Sequence, residues 1–146
     1  MNIMTDKTSL EQFIGIETNP IIHSIERLAV LNFCSAINSS FDKSLFQLSN
    51  TAKRLQPIVP PTFFRSLEAN PLPFNFPGKR LLDAGSQWQY FCDTNIGDLI
   101  TVTQSLQSIQ EKEGKLGKMI FLTIQIKYMN QNKDLAATQT STLISY

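Results

Sequence analysis

The ten residues MIFLTIQIKY (119–128) alternate with a period of two. Ile120, Leu122, Ile124, Ile126 and Tyr128 occupy the even positions, with Thr123, Gln125 and Lys127 between them. That spacing predicts a strand with one buried face. Immediately upstream, residues 99–109 form a second strand, in which Ile100, Val102 and Leu106 share a face that Gln104 interrupts. The intervening EKEGKLGK (111–118), rich in charge and glycine, joins the two as a hairpin. Downstream, NQNKD (130–134) is a turn into the Thr-rich LAATQTSTLISY (135–146), a further strand. A fourth, residues 87–93, places Trp88, Tyr90 and Cys92 on one face and closes at a turn of Asn95, Gly97 and Asp98.

Four antiparallel strands with one apolar face need a cover, and the first half of the chain supplies it. Ser24 is placed to cap a helix that ends near Asn38, with Glu26 in its first turn where the dipole favours an anion. Ile25, Leu28, Ala29, Val30, Leu31, Phe33, Cys34 and Ile37 leave it almost no polar face, so the helix is expected to be covered on most sides. Residues 15–23 read as an edge strand stopped by Asn19 and Pro20. Residues 57–78, PIVPPTFFRSLEANPLPFNFPG, hold six of the seven prolines. Pro60 and Pro61 suit the first turn of a short helix over 62–69, which Pro71 would end; the alternative is a proline-stiffened loop over the core. The class is α+β.

At 146 residues the chain is long enough to bury a core unaided, and one domain, 1–146, is expected. Thirteen basic against twelve acidic residues leave a net charge of +1, without the basic excess of a phosphate-covering nucleic-acid binder. No apolar run approaches the roughly 18 residues of a membrane span. The opening MNIMTDKTSL lacks the basic and apolar regions of a signal peptide, so the cytoplasm is the expected compartment. Cys34 and Cys92 stand apart among apolar and aromatic neighbours and read as buried thiols. With His23 the only histidine, neither a metal site nor a cofactor is expected.

The order of elements resembles a known family. Gly85, the aromatic strand 88–91, the Gly97–Asp98 turn, the hairpin 111–117, Tyr128 and the Thr-rich strand 138–146 follow one another as in the MaoC-like dehydratases. In particular they resemble the N-terminal, FAS1-like dehydratase domain, which has the hot-dog fold. More loosely, NFCSAINSSFDKSLF (32–46) is similar to the family's "FA-x-A-x-G-D" helix end, and VPPTFF (59–64) to the "PPTF" start of its central helix. The resemblance implies a curved antiparallel sheet wrapped around a helix in the 61–70 region, and action on 3-hydroxyacyl or enoyl thioesters of coenzyme A or an acyl carrier protein.

Active members of the wider family resemble one another in an Asp and a His just after the first helix, one to activate water or take the α-proton and one to handle the β-hydroxyl. Here that stretch is Asn38, Ser39, Ser40, Phe41, Asp42, Lys43 and Ser44, with Ser39 where the Asp is expected and Ser44 near the His. The pair is missing, and no catalytic residue is assigned. The chain then resembles the half of a two-part hot-dog enzyme that shapes the acyl pocket. It would pair as a homodimer, or as a heterodimer with a catalytic hot-dog subunit.

By the same resemblance Thr62, Phe63, Phe64 and Gly85 are the candidate substrate-binding residues. The backbone N–H groups of Thr62 and Phe63 could polarise a thioester carbonyl, or the prolines before them could simply start the helix. Phe63, Phe64, Phe74 and Phe76 could line an acyl channel or serve as core. Lys79 and Arg80 could meet a phosphate or be solvated surface. Two rivals stay open. One is an acyl-CoA thioesterase using Asp83 or Asp93, with Asp98 holding its own turn; the other is a non-catalytic acyl-thioester binding module. His23 is out of place for the family's chemistry.

Overall fold

A computed structural model of the chain describes residues 7–37, 58–115 and 117–146. Five antiparallel strands form one sheet in the order β1-β3-β4-β5-β2: β1 (Ile21–Ser24), β2 (Leu81–Tyr90), β3 (Leu99–Gly114), β4 (Gly117–Met129) and β5 (Leu135–Ser145). Helices α1 (Lys7–Glu11) and α2 (Arg27–Ala36) and a 3₁₀ helix (Pro61–Ser66) are the other elements among the described residues. Among the described residues no helix is long and apolar enough to cross a membrane. The sheet curves around the 3₁₀ helix, whose Phe63 and Phe64 are 5% and 4% exposed. This is the hot-dog arrangement.

The alternation of β4 is realised as expected: Ile120, Leu122, Ile124 and Tyr128 are buried. On β3, Ile100, Val102 and Leu106 face the same side and are fully buried. A register shift between Leu106 and Ser108 then changes the parity, so that Ile109 sits opposite Leu122. The inward face carries two apolar clusters. One gathers Val30, Cys34, Phe63, Phe64, Ile100, Val102, Tyr128 and Ala137. The other gathers Leu10, Leu106, Ile120, Leu122 and Ile124 under Phe13, Leu72, Phe74 and Phe76. Between them the register aligns Gln104, Ile126, Gln139 and Trp88 across four strands. The interruption at Gln104 is therefore a polar seam: its Nε2 donates to the Asn70 carbonyl at 2.7 Å, and its backbone N–H to Thr18 Oγ1 at 3.1 Å.

Several boundaries differ from the sequence reading, each for a local reason. Ser24 ends β1 opposite Leu99 instead of capping a helix. Ile25 donates its N–H to Asp98 and accepts from Gly97, both at 2.9 Å, so helical bonding starts only beyond it. Glu26 holds the N-cap position without a side-chain bond. Nor is α2 covered on most sides: only Val30 and Cys34 are buried, and Leu28 is 69% exposed. β1 is an edge strand, but it follows Pro20; residues before it touch β3 at the isolated bridges Ile14–Leu106 and Glu17–Ser105. The expected helix over 62–69 is a shorter 3₁₀ turn, because Ser66 Oγ donates to the Phe63 carbonyl at 2.7 Å and Leu67 turns extended.

β2 starts six residues earlier and ends three earlier than expected. A shift in register between Asp83 and Ser86 breaks the period-two pattern there, and Gly85 sits in it at φ 123°. Because β2 stops at Tyr90, Cys92 lies beyond the strand and is exposed rather than buried; Cys34 is buried as expected. Both strands of the charged hairpin run further than the sequence suggests, to a tight turn between Gly114 and Gly117. The segment 38–44, with Ser39, Asp42 and Ser44, lies outside the described residues.

Candidate functional site

Aromatic side chains from four separate elements converge where β2, β4 and the 3₁₀ helix meet. Trp88 stacks on Tyr128 at 5.7 Å and on Tyr90 at 5.9 Å, with interplanar angles of 22° and 8°. Phe64 closes on Tyr128 at 5.0 Å, and Phe33 of α2 meets Phe63 edge-on at 5.4 Å. Offset and edge-to-face arrangements of this kind favour a fixed cluster over a fluid one. Above it opens a cleft of about 270 Å³ lined by Phe33, Thr62, Arg65, Trp88 and Tyr90. Tyr128 lies beneath, and burial pushes its phenol up to about 12, with the Arg65 charge opposing. The phenol beneath the cleft's aromatic lining is thus neutral and protonated across the physiological range.

The polar seam borders the cluster. Gln139, buried on β5, donates through Nε2 to Ser86 Oγ at 3.1 Å and Ser141 Oγ at 3.0 Å, and the two serines bond each other at 2.7 Å. Tyr128 Oη reaches Gln139 Oε1 only at 3.5 Å, too long to hold the phenol firmly.

Of the residues singled out in the sequence, Thr62 lines the cleft, while Phe63 and Phe64 lie beneath it in the core. The Phe63 N–H is committed to the Pro60 carbonyl at 2.9 Å, and Pro61 has none, so the first turn does not present two converging donors. Gly85 does not line the cleft; its N–H bonds Asp83 Oδ1 at 2.9 Å in the exposed irregularity of β2. Phe74 and Phe76 pack with the second apolar cluster. Lys79 and Arg80 are exposed, their backbones tied to Tyr146. Asp98 holds its own turn through the Asn95 N–H at 2.8 Å and accepts from Gln131 at 2.9 Å. His23 Nε2 donates to the Glu68 carbonyl at 2.7 Å and stays outside the cleft. The sequence reading missed Phe33, Arg65, Trp88 and Tyr90 as a set. The one available signal was the shared face of Trp88 and Tyr90.

This sheet and helix make the chain a hot-dog protein. The model of the FAS1-like, dehydratase domain region matches residues 12–139, and the chain belongs to that family. No curated protein matches it. Among solved structures, a chain of the ChsH1–ChsH2 complex from Mycobacterium tuberculosis is similar with a TM-score of 0.71 and 12% identity, over 94% of this chain and 88% of that one. A chain of the HadBC (3R-hydroxyacyl-ACP dehydratase) complex from the same organism gives 0.65 at 14%, over 91% and 97%. The MaoC-like dehydratase from Rhodospirillum rubrum gives 0.66 at 16%, over 94% and 95%.

Proposed function

We propose that this chain, as one hot-dog domain over 1–146, is the half of a two-part dehydratase that shapes the acyl pocket. Its substrates would be 3-hydroxyacyl or enoyl thioesters of coenzyme A or a carrier protein. A partner hot-dog subunit would supply the proton-transferring pair. One observation carries the reading: the only histidine of the chain is bonded to the Glu68 carbonyl from β1 and does not line the aromatic cleft, in a chain that belongs to a dehydratase family. Ser39 and Ser44 stand where the resemblance expects the Asp and His. Two of the similar structures are complexes, in keeping with a paired arrangement. In this reading Thr62 borders the acyl chain, Phe63 and Phe64 support it from below, and Gly85 shapes the strand that carries Trp88.

Positioned proton transfer accounts for about 10² to 10⁴-fold in rate. The isolated chain should therefore hydrate crotonyl-CoA negligibly, as followed by the enoyl-thioester absorbance, and support turnover when a hot-dog subunit retaining the pair is added. Robust hydration by the chain alone, abolished by His23→Ala or Asp42→Asn, would place the active groups on this chain and sink the proposal. Release of free thiol without hydration would point to the thioesterase.

A further inference from the structure

The cleft above Tyr128 is walled by Phe33, Trp88 and Tyr90, and among the described residues the charged side chain that lines it is Arg65. Among the described residues Arg65 forms no ion pair, and no side-chain hydrogen bond engages its guanidinium. Aromatic walls fit an occupant with an apolar body that can lie on ring faces. A guanidinium at the same opening, exposed and paired with no carboxylate among the described residues, offers a planar fork for carboxylate or phosphate oxygens. The aromatic walls come from α2 and β2, the elements on either side of the 3₁₀ helix that carries Arg65, and all share one 270 Å³ space.

We infer that this cleft takes part of an acyl thioester and that Arg65 determines its specificity by binding an anionic oxygen of that ligand. The inference rests on the thioester reading above and adds the charge of the ligand. The oxygen belongs either to the phosphate of the phosphopantetheine arm or to a carboxylate on the acyl group, two sources of one chemistry.

Trp88 is the only tryptophan of the chain, so its fluorescence reports on the cleft directly. The full chain is titrated with octanoyl-pantetheine, with its phosphopantetheine counterpart, and with an analogue ending in a carboxylate in place of the chain's methyl. At least one anionic probe should bind about 10-fold tighter than the neutral one, the order expected of a charge-assisted pair; which one does so identifies the source. Arg65→Gln should remove that advantage, read as the ratio of the anionic to the neutral probe's Kd, while Arg65→Lys should restore only part of it. An anionic advantage that is absent, or that survives Arg65→Gln, overturns the inference while the thioester reading stands. If no probe, neutral or charged, perturbs Trp88, the thioester reading falls and the inference with it.

Discussion

Gln139 shows what a single polar side chain does inside this sheet. Both hydrogens of its amide are used, by Ser86 and Ser141, and Ile126 and Trp88 flank it on the neighbouring strands. A one-residue slip of β5 would carry that amide to the outer face and bring Thr138 or Thr140 inward, so the bonds pin the register as well as contribute energy. Gln139→Ala should destabilise by about 1–3 kcal/mol, seen as a lower urea midpoint at unchanged slope. The half-exposed Gln125, opposite Thr140, provides the control: Gln125→Ala should change stability by under about 0.5 kcal/mol. Nothing in TQTST marks Gln139 as inward-facing, because its partner Ser86 lies 53 residues away. Cys92 misled for a similar reason. Its apolar neighbours suggested burial, but the strand meant to bury it ends two residues before.

At the level of elements, strands were legible where alternation ran unbroken, and β4 needed nothing more than its own sequence. β2 was half hidden because Asp83, Ala84, Gly85 and Ser86 span a register shift that no periodic template fits. Gly85 makes the shift possible. At φ 123° an L side chain is strained, although nothing lies within 4 Å of where its Cβ would stand. Gly85→Ala therefore tests backbone conformation alone and should cost about 1–3 kcal/mol. Thermal melting would register this as a fall in Tm of roughly 2–4 °C per kcal/mol; an unchanged Tm would mean that β2 tolerates a regular register. Gly78 is a different case, since a Cβ there would stand 2.9 Å from the Tyr146 carbonyl oxygen. The 3₁₀ helix was legible as a location but not as a helix type. Its early end depends on the Ser66 hydroxyl competing for a carbonyl, a contest that composition does not reveal.

For the molecule as a whole, the sheet's two surfaces set how it can associate. The outer face of β3, β4 and β5 is mostly polar, presenting Thr103, Thr123, Gln125, Thr140 and Thr142, with Phe121 opposite Ile144 as its apolar row. The β2 side is different: Leu81, Leu82, Tyr90 and Phe91 are all 44% or more exposed beside a strand edge that no other described strand pairs. Association should run sideways, through that edge. Sedimentation at micromolar concentration should give a dimer, or a heterodimer once the partner is present. Leu82→Lys combined with Phe91→Lys should shift the population to monomer. A wild-type chain that sediments as a monomer both alone and with its partner would refute the arrangement. The candidate cleft was the least legible feature, because Phe33, Arg65 and Trp88 come from three distant segments and meet only once the sheet has curved.

The strand order also sets a timetable for synthesis. The outermost strands β1 and β2 come first along the chain, while their partners β3 and β5 come later. Ser86 and Ser141 are 55 residues apart, so at roughly 5–20 residues per second β2 waits several seconds outside the ribosome before β5 exists to pair with it. The β3–β4 hairpin closes within about 10 μs of its own completion and becomes the template. During that wait the segment from Leu81 to Phe91, with Trp88 and Tyr90 uncovered, is the stretch a nascent-chain chaperone would meet.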